Sequence, residues 1–161
     1  MPPAPCTLRA VRIRSEIDGV PAERARRLLA GLPAARGYRV VIKPLRYRER
    51  PHLSAYTDFD AREIVLQVPE PFLPFGEIVP YGAKRRPGKG MRFIWLTEGV
   101  TFRTPREVLR FLYLHEWMHW YLKEELGRKS SAETACDRFA LRNYRRRSVE
   151  AGDAELALRR A

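Results

Sequence analysis

Between Pro105 and Leu126 apolar residues recur at three- and four-residue intervals, which predicts one long helix. Val108, Phe111, Leu112, Trp117, Met118 and Tyr121 spread around enough of its circumference that the helix should be largely enclosed. Its start is marked by Thr104-Pro105-Arg106-Glu107, a capping box with proline at the first helical position, and Gly127 stands where it should end. Ser130-Ser131-Ala132-Glu133 reads as the opening of the next helix, on which Glu133 and Asp137, four residues apart, share a face.

Upstream the periodicity changes from helical to alternating. Val11 and Ile13 alternate with Arg12 and Arg14, a short strand, and Asp18-Gly19 turns the chain. Pro21 opens a helix to about Ala30, stopped by Gly31 and Pro33, with Leu28, Leu29 and Leu32 toward the interior. A strand follows from Arg39 to Lys43. Between Leu53 and Val68 two β-prone runs flank Asp58 to Arg62, a hairpin with Ile64, Leu66 and Val68 on one face. Pro69, Pro71 and Pro74 make a stiff connection to a second hairpin, Glu77 to Tyr81 with Met91 to Leu96. If Met91 to Leu96 is the sheet edge beside the long helix, its backbone is positioned to hold an extended peptide by strand addition. After Arg147, Val149 to Arg159 suggests a short terminal helix, either an ordinary packing element or a cover for a cleft.

These elements predict an α+β fold, a small and mainly antiparallel sheet packed against the long helix and the helix that follows it. The 161 residues suit one domain, with about 1–7 as an N-terminal tail and about 148–161 as a C-terminal helix or tail. No apolar run has the length of a membrane span and the N-terminus lacks a signal-peptide core, so the expected location is cytoplasmic. Cys6 and Cys136 are too far apart in sequence for a cysteine zinc ribbon, which leaves them as small apolar residues. A sharper reading of Cys6 has its thiolate closing a metal's open position.

Charge changes the picture. The formal net charge is +12 and the isoelectric point is near 10.4, most of it from arginine. A field of this sign attracts nucleic acid or acidic partners, although a GC-rich genome would produce the same bias. Lys84, Arg85, Arg86, Lys89 and Arg92 are concentrated in the second hairpin and are the candidate nucleic-acid contacts; Arg142 and Arg145 to Arg147 form a second group.

The chemistry is concentrated in the long helix. His115-Glu116-Trp117-Met118-His119 places two of the chain's three histidines four residues apart, on one helical face, with a glutamate beside the first. That spacing lets both imidazoles reach one ion while Glu116 holds a water and acts as general base. A catalytic zinc needs a third protein ligand. His52 lies in the hairpin region, and Leu122 and Glu125 occupy the positions where a metzincin continuation requires glycine and histidine. A carboxylate is the better candidate, from Glu133 or Asp137, with Glu124 and Glu125 as further choices.

His115-Glu116-x-x-His119 followed by Glu133-x-x-x-Asp137 resembles the gluzincin zinc peptidases, especially the small minigluzincins. The segment Glu133-Thr134-Ala135-Cys136-Asp137-Arg138-Phe139-Ala140 is also similar to the glutamate helix of ImmA/IrrE-type repressor-cleaving proteases. The resemblance covers about residues 105–145. It implies Zn2+ held by His115, His119 and Glu133, with Glu116 as catalytic base and Asp137 orienting a ligand histidine. Glu133 follows His119 by only fourteen residues, so a simple antiparallel pair of helices misaligns the two. Either the first helix ends early, near Glu124, or the second crosses it steeply. Glu133 also fits a capping box begun by Ser130.

The activity this implies is metal-assisted hydrolysis of a peptide bond, with His52, Tyr56, Tyr81 and Tyr144 as unranked candidates for assisting the oxyanion. Two other functions fit the same residues: a DNA-associated protease recruited by the basic hairpin, and a non-catalytic zinc-braced module binding nucleic acid or protein.

Overall fold

Two nearly continuous apolar runs, Val40-Val41-Ile42 and Ile64-Val65-Leu66, are buried along their whole length and form the centre of a four-stranded sheet. The computed structural model describes residues 8–47, 49–88, 90, 92–129 and 132–159. Strands β1 (Ile13–Ser15), β2 (Arg39–Leu45), β3 (Ser54–Asp58) and β4 (Glu63–Pro69) lie in the order β1-β2-β4-β3. β3 and β4 are the expected antiparallel hairpin, in a register that pairs Thr57 with Ile64 and Ala55 with Leu66. β1–β2 and β2–β4 run parallel, with Val40 opposite Ile64 and Ile42 opposite Leu66. The link between β1 and β2 is α1 (Ala22–Leu28), which starts after Pro21 rather than on it.

The longest ladder is separate from this sheet. β5 (Phe75–Arg86) and β6 (Arg92–Phe102) form a two-stranded antiparallel ribbon that extends well beyond the second hairpin expected from the sequence. Its inner half is seated in the core through Phe75, Val79, Val100 and Phe102. The α+β class expected from the sequence is the class observed, with helices packed on a small sheet and antiparallel pairing in both hairpins.

Helix α2 (Pro105–Trp120) runs through the core cluster. The Thr104 hydroxyl accepts from the Glu107 amide at 3.3 Å, and the Glu107 carboxylate accepts from the Arg103 amide at 3.0 Å. Phe102, Phe111 and Tyr144 pack ring on ring, and Trp117 packs against Tyr121 and Phe139. Each such side chain contributes about 1.5–3 kcal/mol on burial. Arg110, which a helical wheel assigns to no apolar stripe, is also buried. Its guanidinium donates to the carbonyls of Tyr144 (3.1 Å), Leu28 (3.0 Å), Ala30 (2.8 Å), Arg147 (3.2 Å) and Arg146. The end of α1 and the chain after Tyr144 are thereby fixed to α2. Gly31 completes that junction: its φ is +86°, its carbonyl accepts from the Val149 amide, and a Cβ there would lie 2.0 Å from the Arg147 carbonyl oxygen.

Regular α-helical bonding ends at Trp120 and passes into a π turn, Tyr121–Glu125. The Leu126 amide reaches back to the Tyr121 carbonyl, five residues away, and the freed Leu122 carbonyl accepts from the Arg128 amide at 2.8 Å, with Gly127 left-handed at φ +63°. Regular α-helical winding thus ends early, at Trp120, and the π turn carries the chain on to Glu125. Helix α3 (Glu133–Asn143) begins after Ala132, which is itself left-handed, so Glu133 is its first residue rather than the third residue of a box begun by Ser130. Ser130 lies outside the described residues, as do Met1 to Thr7 with Cys6, and Lys89 and Met91. Helix α4 (Ala151–Leu158) packs on α3 through Ala154 and Ala157, and the Arg138 guanidinium donates to the Ala157 carbonyl at 2.7 Å. No described helix is long and apolar enough to cross a membrane.

Candidate metal centre

The i, i+4 spacing on α2 brings the two imidazoles together, with the Nε2 atoms of His115 and His119 3.1 Å apart. Glu133, delivered by the early end of α2, completes a triangle: one carboxylate oxygen lies 3.1 Å from His115 Nε2 and the other 3.1 Å from His119 Nε2. On the far side of the ring, His115 Nδ1 donates to Asp137 Oδ1 at 2.8 Å. That bond fixes the tautomer, because a proton on Nδ1 leaves the Nε2 lone pair of a neutral ring facing the triangle.

The donor set fits a divalent ion. Three acceptor groups converge at edges of 3.1 Å, close to the separation of about 3.4 Å that tetrahedral bonds of about 2.0–2.1 Å to zinc require. Converging lone pairs and a carboxylate repel unless a proton or a cation lies between them. Burial alone would pull the His115 pKa down, but hydrogen bonds to Asp137 and Glu133, with the nearby Glu116 charge, outweigh it and lift the pKa to about 10. The same bond to His115 holds the Glu133 carboxyl below its ordinary value. Two imidazoles and a carboxylate suit zinc among the divalent ions.

Glu116 is enclosed, only 5% exposed, and burial raises its pKa against the opposing effects of the His115 charge and the Thr57 hydrogen bond. The Thr57 hydroxyl donates to Glu116 Oε2 at 2.7 Å. Thr57 belongs to β3, the edge of the four-stranded sheet, so the strand beside the motif helix is Ser54–Asp58. Of the segment expected there, Met91 to Leu96, the described residues Arg92 to Leu96 instead form part of the ribbon and project outward, with Phe93 and Trp95 exposed. Pattern alone gives each run a face but does not say which hairpin docks on the helix.

Other expected participants are elsewhere. Glu124 accepts from the Tyr38 hydroxyl at 2.8 Å, and Glu125 pairs with Arg36. Tyr144 is packed between Phe102 and Phe111. Tyr56 alternates with Thr57 along β3 and so faces the other side of the sheet. His52, five residues before Thr57, is bonded to the Arg50 carbonyl, while the Tyr81 carbonyl accepts from Arg138 on α3 at 2.8 Å. Two surface hollows, one beside Lys43 and His52 and one beside Tyr38 and Arg62, contain none of the motif residues.

One donor escaped the sequence reading. Cys136 Sγ belongs to a group with His115 and His119 whose ligand atoms all lie within 4.8 Å of one another. It is fully buried, and burial, followed by the charges of Glu133, Glu116 and Asp137, pushes its thiol pKa up. Its position three residues after Glu133, on the same helical face, was the available signal. The Glu133 carboxylate lies 3.1 Å from each imidazole and is already anionic. No family model, curated protein or solved structure matches the chain.

Proposed function

We propose that the chain is a zinc-dependent peptidase, an endopeptidase that hydrolyses peptide bonds with Glu116 as general base. The observation that carries this reading is the 3.1 Å triangle of His115, His119 and Glu133 with Asp137 behind it and a buried glutamate beside it. Bound zinc supplies Lewis acidity toward a peptide carbonyl and acidifies water at the site. Thr57 holds Glu116 Oε2, which leaves Oε1 to take a proton from the attacking water and pass it to the leaving amine. Asp137 keeps the His115 ring oriented, and Glu133 holds the imidazoles at their separation. The outer edge of β3 offers its backbone to an extended substrate one residue from that base. Such a substrate is an extended segment whose own backbone groups on one side are unpaired.

Elemental analysis and digestion of unfolded polypeptides, read by mass spectrometry, test the proposal. Wild type carries one zinc per chain and cleaves, Glu133→Ala loses the metal, and Glu116→Gln keeps it without cleaving. Wild-type rates from Glu116→Gln, or no zinc after reconstitution, would refute it. A second reading, a closed and non-catalytic metal brace, draws on the nearness of Cys136. It requires that Cys136→Ser release zinc, whereas the peptidase reading requires that this variant keep both metal and activity.

A further inference from the structure

We propose that the outer half of the β5–β6 ribbon is a binding arm for single-stranded nucleic acid. The register decides what each face presents, since residues directly opposite in an antiparallel pair project to the same side. Arg85 opposite Phe93 and Ala83 opposite Trp95 make one face, and Lys84 opposite Ile94 and Arg86 opposite Arg92 make the other. Phe93 and Trp95 are each 60% exposed. They stand two residues apart on one strand, about 7 Å, so each ring can take its own base. Ala83 opposite Trp95 is too small to cover the indole.

Charge selects the occupant. Lys84, Arg85, Arg86 and Arg92 are all exposed, and among the described residues none of the four meets a carboxylate within 4 Å. Phosphates satisfy them, while the rings stack on bases whatever their sequence. A lipid surface meets one face of a ribbon, but the basic side chains stand on both, and a flexible strand can follow both. The arm is also firmly based. Val79 and Val100 are buried at its root, and Arg138 of α3 holds the Tyr81 carbonyl. A strand bound to the arm is thus attached to the helix that carries Glu133 and Asp137. The inference does not depend on the peptidase reading, since neither ring nor basic residue belongs to the metal centre.

The test is fluorescence anisotropy of labelled oligothymidylate, about 16 nucleotides long, with the full chain. Wild type binds with affinity falling as salt rises, log K against log[salt] having a slope of about −2 to −3 for three or four phosphates. The double variant Phe93→Ala/Trp95→Ala loses about twentyfold or more in affinity and keeps the slope. Arg85→Gln/Arg86→Gln/Arg92→Gln flattens the slope by about 2. Thermal melting of both variants, expected to match wild type, excludes misfolding. Any of four results overturns the proposal: no binding at about 100 µM protein in low salt, affinity indifferent to loss of the two rings, preference for duplex of the same length, or binding to phosphatidylserine vesicles and not to the oligonucleotide.

Discussion

Helix α2 and the outer ribbon are opposites in how they use polar groups. Along α2 almost every side chain is committed inward: Arg110 satisfies carbonyls from two distant segments, Glu116 is held by Thr57, and His115 is held by Asp137. In the outer ribbon, Phe93 and Trp95 are mostly exposed, and among the described residues no carboxylate pairs with Lys84, Arg85, Arg86 or Arg92. The first arrangement suits groups that must be held within tenths of an ångström, and the second suits recognition of something flexible. The contrast also predicts where damage to stability and damage to function separate.

The largest effect should come from the inward region. Arg110→Met strands carbonyls of α1 and of the segment after α3 and should destabilise the fold by about 3–5 kcal/mol, measurable by urea denaturation. A loss below about 1 kcal/mol would mean that water replaces the guanidinium and the enclosure is looser than it looks.

Next is a pH effect on the chain stripped of metal by a chelator. The folded-state pKa of His115 is raised to about 10 from an ordinary value near 6.5, so its stabilising contribution is complete below about 6.5 and lost as pH rises through about 10. The melting temperature of the metal-free chain should fall across that interval, and loading zinc should suppress the fall. A flat profile in the metal-free chain would break the link between Asp137, Glu133 and the ring.

Smaller again is Thr57→Val, which keeps side-chain volume and removes the donor to Glu116. It should lower kcat about tenfold, as expected for a hydrogen bond to a charged group, with zinc content unchanged. At the other pole, Phe93→Ala or Trp95→Ala should move stability by no more than about 0.5 kcal/mol in either direction. A larger loss from either would mean that the ribbon packs on something and the contrast is false.

Much of this organisation is written locally. The Thr104-Pro105-Arg106-Glu107 start, the β3–β4 hairpin and the Gly127 stop are each set by a few neighbouring residues, and each lies where the sequence places it. Strand direction is different. Alternation assigns a face but no direction, and the clue to parallel pairing was that Val40-Val41-Ile42 and Ile64-Val65-Leu66 are unbroken rather than alternating. Arg110 was illegible because its partners come from segments about 35 and 80 residues away, and an arginine in a helix otherwise reads as solvated. In the candidate site, the histidine pair was set by helical spacing alone. Bringing Glu133 to it required a left-handed glycine, a π turn and a left-handed alanine, of which only the glycine announces itself. Cys136 was passed over because a buried cysteine ordinarily behaves as a small apolar residue.

The π turn at Tyr121–Glu125 has a consequence for phase. Each α-helical residue advances the chain by about 100° around the axis, so the one extra residue in that turn sets the direction in which the backbone leaves α2. Deleting a single residue there would restore regular winding and rotate the exit by roughly that angle. Glu133 would swing away from the imidazoles although no side chain at the metal centre had been altered. The wide turn is a spacer measured in rotation, and it lets a linker this short close a three-point site.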